Sequence, residues 1–283
     1  MKIMHGAMLA CILITVSCDY PERFRPIPDM RLSRVRGIEL FLTADSILEQ
    51  ETLQARAYII LGSGVKKPAE SVSWESLNCD ILSVDRDGIV TGLSPGRGAL
   101  RASMGALSAT GTLEVVRRID YSKIMISEVF YDAAGSDDGN EFIELYNDNE
   151  YECDIAGMMV IDGSSSSRAF VFPQGSVIGA GACAVVAQSA GGFALLFGIN
   201  PDYGNFSFSL NNSGEAVMLM KPDGSVVDTV YIKGGTEDFR PPESWGTALL
   251  PASPAGQSVQ RVDFSSAASG ASWASGPPTP GVR

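Results

Sequence analysis

The sequence predicts an all-β chain of two sandwich domains in tandem, on three observations. Apolar residues recur in short alternating runs rather than at helical spacing. Thirty glycines, fifteen prolines and a serine-rich C-terminal half punctuate those runs more often than helical packing tolerates. At 283 residues, with 45% hydrophobic and 19% charged residues, the chain is globular in class and long enough for about two domains.

The first seventeen residues read as an address. Lys2 is followed by an apolar stretch from Ala7 to Val16 and by the small Ser17 directly before Cys18. That stretch falls short of the ~20 apolar residues a membrane-spanning helix needs, and it has the order of a secretory signal. The Ser17-Cys18 junction resembles the lipobox of bacterial lipoproteins, in which the signal is cut before the cysteine and the cysteine carries acyl chains. Thr15 stands where that pattern has leucine, with Ile14 and Val16 supplying the apolar character, as in relaxed spirochaete boxes. The resemblance implies a lipoprotein signal peptide over 1–17 and lipid attachment at Cys18. Acyl chains stabilise anchoring by ~0.8 kcal/mol per buried methylene, enough without a spanning helix. Residues 18–33, Pro-rich and charged, are expected to form an extended tether.

A first domain is expected over 34–117. Candidate strands are Ile38–Leu42, Leu53–Ile59 and Val72–Trp74, then Leu82–Asp85 and Ile89–Leu93 joined through Asp87-Gly88, and Ala99–Ser103 after Ser94-Pro95-Gly96. Glycine relieves the steric cost of positive φ at such a turn. Trp74, Val84-Asp85, Gly88, Val90-Thr91-Gly92-Leu93, Gly96, Ala102 and Leu113–Val116 resemble the group 2 bacterial immunoglobulin-like domain over about 85 residues. The resemblance implies a β-sandwich with Trp74 in its core and a spacer's job.

After the linker Arg117–Tyr121 the pattern restarts, and a second domain is expected over 122–283. Its candidate strands are Ile124–Phe130, Glu141–Asn147, Gly157–Asp162, Phe170–Pro173, Ala182–Ala187, Ala216–Leu219 and Val226–Val230, the last two joined by Pro222-Asp223-Gly224. In Glu141–Asn147 strand alternation puts Glu141, Ile143 and Leu145 on one face and Phe142, Glu144 and Tyr146 on the other, so each carboxylate interrupts an apolar row. Ile126–Val129, Asn140–Asn147, Ile155–Gly157, Leu210–Glu215, Asp223–Asp228, Gly256–Arg261, Trp273 and Pro278–Gly281 resemble, in order and spacing, the lamin-tail domain. That implies an immunoglobulin-like sandwich. It further implies that Glu128, Glu141 and Glu144 lie near a sheet edge, pair with Arg261 or backbone amides, and specify the fold.

Charge and composition exclude much. The formal charge is -12 and becomes -13 if residues 1–17, which hold Lys2, are removed (20 basic against 33 acidic). No basic patch with interleaved aromatics offsets the repulsion of a phosphate backbone, so nucleic acid is not an expected partner. The only histidine, His5, lies in the address segment, which closes histidine-dependent nucleophile activation and histidine-ligated metal sites to the mature chain. Gly191-Gly192 and Gly234-Gly235 read as turns, not phosphate loops. Cys153 and Cys183 are equally compatible with a disulfide or with buried thiols, and Cys79 is expected to be a buried thiol. The loop from Asp132 to Asn140 is acidic enough to suggest calcium but lacks the spacing of the 12-residue calcium loop; a solvated loop is the expectation, with no metal and no cofactor. Trp245, Phe239 and Tyr203 are scattered loop aromatics.

The expected function is a non-catalytic, lipid-anchored envelope protein, a spacer presenting a module that binds an unknown protein, glycan or envelope component, with the membrane engaged through Cys18. The alternatives are a carboxylate-based hydrolase using Glu128, Glu141 and Glu144, or a purely structural envelope tether.

Overall fold

The computed structural model describes residues 35–163, 168–233, 250–251, 253–265 and 269–282. Cys18, residues 1–33, Gly234-Gly235, Phe239 and Trp245 lie outside the described residues. The chain divides between Arg118 and Ile119 into two compact units, each an all-β, immunoglobulin-like sandwich.

The first unit contains β1 (Val35–Phe41), β2 (Ser46–Leu48), β3 (Thr52–Gln54), β4 (Arg56–Leu61), β5 (Lys66–Pro68), β6 (Ser73–Ser76), β7 (Leu82–Val84), β8 (Ile89–Gly92), β9 (Gly96–Met104) and β10 (Leu107–Val116). Their sheets run β1-β4-β5, β2-β10-β9-β6 and β3-β8-β7. Leu53, Leu82, Val90, Leu100, Leu113 and Val115 form the core, with Trp74 half-buried against it. Between β7 and β8 the Asp85 carboxylate accepts the N–H groups of Asp87 and Ile89 at 2.9 and 2.8 Å. Gly88 takes φ +79° there, and an added Cβ would meet the Trp74 ring at 2.9 Å, so the position needs glycine for both backbone and space. Cys79, expected to be buried, is exposed. It sits in the Asn78–Asp80 turn entering β7, which is turned outward so that Ile81 and Leu82 can face the core.

The second unit contains β11 (Ile124–Phe130), β12 (Phe142–Asn147), β13 (Cys153–Asp154), β14 (Met159–Asp162), β15 (Ala169–Val171), β16 (Val177–Ile178), β17 (Cys183–Ala187), α1 (Ala190–Phe197), β18 (Tyr203–Gly204), β19 (Glu215–Met220), β20 (Val226–Ile232), β21 (Ser258–Arg261) and β22 (Trp273–Gly276). A six-stranded sheet, β18-β17-β12-β11-β21-β22, faces a four-stranded one, β15-β14-β19-β20, with β13-β16 a separate pair. Ile126, Val129, Ile143, Leu145, Val160, Val217, Leu219, Val230 and Val259 fill the space between.

Every residue of β11 and β12 is buried, so the centre of the six-stranded sheet is covered on both faces. At one end of its outer face, α1 lays Phe193 and Phe197 on Phe130 and Phe142, with ring centroids 4.8 to 5.7 Å apart. At the other end lies the chain's C-terminal segment. Alternation along β12 holds as expected, but the outer face is not solvated.

The Gly191-Gly192 pair lies in the first turn of α1, not in a loop. Ser189 caps this helix by accepting the Gly192 N–H at 3.2 Å, and Gly198 ends it at φ +73°. Glycine is a poor helix former, and the reason for Gly192 is tertiary: a Cβ there would stand 2.1 Å from the Gly139 carbonyl oxygen. No helix among the described residues is long and apolar enough to cross a membrane.

Gly192→Ala is expected to destabilise the protein by roughly 1–3 kcal/mol through overpacking against backbone. Gly191→Ala, whose Cβ would meet only Ser189 Oγ at 3.9 Å, is expected to be neutral or to stabilise slightly through helix propensity. Urea unfolding of the two variants checks the contrast, and equal effects would refute it.

Candidate functional site

The chemistry-bearing side chains of the second unit gather around an irregularity in β11. Ile126 pairs with Leu145 and Glu128 with Glu144, leaving Ser127 as a bulge. The extra residue re-aims the strand, so Ser127 and Glu128 both serve the outer face. Side chains satisfy the backbone beside it. Asp228 Oδ2 accepts the Ile126 N–H at 2.9 Å, Arg261 Nε donates to the Ile126 carbonyl at 2.9 Å, and Arg261 and Asp228 are ion-paired. Arg261 is buried and Asp228 keeps 9% of its side chain exposed, and the Arg261 guanidinium also lies 5.0 Å from the Trp273 ring centroid. Burial pushes the Asp228 carboxyl above the usual carboxylate range, opposed by Arg261 and by the N–H groups of Ile126 and Thr229.

Glu128 and Glu144 stand opposite each other on the central strands, both 2% exposed, in a cleft of about 100 Å³ lined in part by Gln260, Phe264 and Thr279. Glu128 accepts from the hydroxyl of Ser258, from Gln260 Nε2 at 3.3 Å, and from the Thr279 N–H and hydroxyl at 3.0 and 3.2 Å. Glu144 accepts from the Ser127 hydroxyl at 2.7 Å and the Gly281 N–H at 2.6 Å. Burial raises the Glu144 pKa, and the neighbouring Glu128 charge adds to that. The Thr279-Pro280-Gly281 segment is thus strapped across the sheet by backbone amides. The carboxylates lie at the sheet's centre rather than its edge, and Arg261 pairs with Asp228 rather than with any of them. The strand order places β11 and β12 in the middle of the sheet, and the bulge opens a backbone gap that Arg261 fills.

Glu141 is separate from this pair. It precedes β12, is 0% exposed, and accepts the Leu210 N–H at 2.9 Å. Burial pushes its pKa up to about 8, assisted by the charges of Asp137, Asp138 and Asp162.

In the acidic loop, Asp137 accepts from Ala133 N–H and from Asn212 Nδ2, both at 2.7 Å, so it staples loops together. Cys153 and Cys183 are unbridged. Cys153 belongs to the inter-sheet core, whereas Cys183, opposite Tyr146, shares the outer face with Glu144, to which its thiol is hydrogen-bonded. Tyr203 is a strand residue, its ring 5.1 Å from that of Phe172. Among the described residues no three His, Cys, Asp or Glu side chains converge as metal ligands. Sequence reasoning assigned no role to Asp228, Ser127, Ser258 or Thr279. For Asp228 the available signal was an acid inside the apolar run Val226–Val230.

Asp228→Ala is expected to cost ~3–5 kcal/mol by leaving Arg261 buried without its counter-charge. Replacing both residues by apolar ones is expected to cost less than the sum of the single changes; additive losses in denaturant midpoints would contradict the coupling. For Glu141 the folded pKa lies above the unfolded value, so the fold holds the proton more tightly. Its contribution to stability is full below pH 4.5 and is lost as pH rises through about 8. Melting temperatures measured across that window are expected to fall more steeply in wild type than in Glu141→Gln, and parallel curves would refute the assignment.

Glu128 and Glu144 are thus buried and hydrogen-bonded from within an immunoglobulin-like sandwich. The family model for the Lamin Tail Domain matches residues 118–234. The six-stranded sheet extends past that match, since β21, β22 and the C-terminal strap follow it. Similar solved structures include a DUF4876 family protein from Bacteroides thetaiotaomicron VPI-5482, 12% identical, with 79% of this chain and 88% of that one covered at a TM-score of 0.36. Domains 4 and 5 of the S-layer protein SbsC are 12% identical, with 70% of this chain and 96% of that one covered at a TM-score of 0.29. No curated protein matches the sequence.

Proposed function

We propose that this chain is a non-catalytic protein of the cell envelope, anchored by lipid on Cys18. Its first unit, which resembles the group 2 bacterial immunoglobulin-like domain, is a spacer. Its second unit is an interaction module for a protein, glycan or envelope component. The observation that carries the non-catalytic reading is the state of Glu128 and Glu144. A general acid and base need a free lone pair or proton and room for a substrate. Here the two carboxylates accept from Ser127, Ser258, Gln260, Thr279 and Gly281, and the last two hold the chain's own end in place. Their role is to shape and close the sheet. The anchor rests on the order of residues 1–18.

The test is intact-cell protease shaving with mass spectrometry, run beside Cys18→Ala. Wild type is expected in the membrane fraction, with the variant released. Equal fractionation of the two forms overturns the anchor. Cleavage in intact cells directs the search for partners outward, and protection until permeabilisation directs it to the periplasm.

A further inference from the structure

Residues 277–282 lie as a strap over the outer face of the six-stranded sheet and bury little of themselves there. Pro277, Thr279, Gly281 and Val282 are exposed, Pro278 and Pro280 are half-buried, and none of the six belongs to a core cluster of the second unit. The sheet grips the strap by hydrogen bonds. Glu128 accepts the Thr279 N–H and hydroxyl, Glu144 accepts the Gly281 N–H, and Gln260 Nε2 donates to the Pro277 carbonyl at 2.7 Å. Apart from the Thr279 hydroxyl, these strap groups are main chain. A segment with few buried apolar contacts and solvent-exposed hydrogen bonds stands at the low end of local stability. The cleft beneath it presents Ser127, Glu128, Glu144, Gln260 and Arg261 together with Phe264, so lifting the strap uncovers mainly groups that water solvates. Neither glutamate is ion-paired among the described residues, and each depends on donors brought to it.

The groove reads a short extended backbone. It takes an N–H with its hydroxyl at Glu128, an N–H two residues later at Glu144, and a carbonyl two residues earlier at Gln260. Prolines at 277, 278 and 280 hold this segment extended before it docks, which lowers the cost of ordering it. Pro277-Pro278 is also the whole connection between the end of β22 and Thr279. Short hinges of this kind favour exchange of an element between copies.

We propose that the strap is exchangeable: it lifts from its own groove while the sandwich stays folded, and the Glu128–Glu144 groove takes residues 277–282 of a second copy of this chain. Within one copy the strap is a competing occupant, present at an effective concentration on the order of millimolar. This self-association does not rest on the anchor at Cys18, and the purified chain tests it without a membrane.

The test pairs two full-length variants. Thr279→Pro with Gly281→Pro removes both N–H groups and the hydroxyl, and proline cannot take the φ of +81° at position 281, so the groove is left open. Glu128→Gln with Glu144→Gln keeps the strap and takes the charge from its acceptors. Analytical ultracentrifugation of the mixture near millimolar concentration is expected to show a species of twice the chain mass, with each variant alone monomeric. A labelled peptide of residues 274–282 is expected to bind the proline variant at least about tenfold more tightly than wild type, where the strap competes. A mixture that stays monomeric overturns the second copy as occupant, and equal peptide binding by wild type and the proline variant overturns the groove as its site. A proline variant that has lost cooperative unfolding overturns the premise that the strap lifts from an intact sandwich. If the glutamine variant does not fold, the peptide comparison decides alone.

Discussion

The second unit depends on the Arg261–Asp228 pair and the backbone of Ile126 between them. A bulge in a central strand leaves an N–H and a C=O outside the ladder, and inside a sandwich neither can turn to water. Asp228, on β20 of the four-stranded sheet, takes the N–H; Arg261, on β21 of the six-stranded sheet, serves the carbonyl. The ion pair therefore ties the two sheets at the point where one is irregular. Replacing a buried ion pair by apolar residues is often neutral, but here the same groups also serve main-chain atoms that apolar residues would leave orphaned.

The bulge has a second consequence on the opposite face. It turns Ser127 and Glu128 toward Glu144, and the apposed carboxylates become acceptors for whatever donors cover them. The chain supplies its own: the amides of Thr279 and Gly281. Two acids that sequence order spaces apart thus come together to hold the 279–281 segment across the sheet. Proline at 280 has no N–H, which leaves the donors on alternate residues, spaced to reach one carboxylate each.

Much of this was legible in the residues. The all-β class, the alternation of Glu141–Asn147, the turn at Gly88 and the carboxylates' reliance on backbone amides follow from periodicity, turn chemistry and resemblance. What was not legible depends on contacts between distant segments. Glycine at 192 reads as a loop residue because local propensity says so, and only the approach of the Gly139 carbonyl explains it inside a helix. Cys79 reads as a buried thiol because cysteines usually are, yet its turn faces outward. Glu128, Glu141 and Glu144 were expected to pair with Arg261 or with backbone amides; they take backbone amides, and sequence order gives no sign that the β11 bulge would claim Arg261 for Asp228.

The sequence by itself determined the strand and turn pattern, which is local: side chains alternate with a period of two, and glycine alone relieves positive φ. It also set the inventory of chemistry, since the chain has no histidine beyond His5 with which to build a histidine-based site. The tertiary structure alone decided which acids face each other, which are paired with a cation and which are buried without one among the described residues. Those outcomes hinge on register, on one bulged residue and on a C-terminal segment returning across more than a hundred positions, and no local pattern encodes distances of that kind.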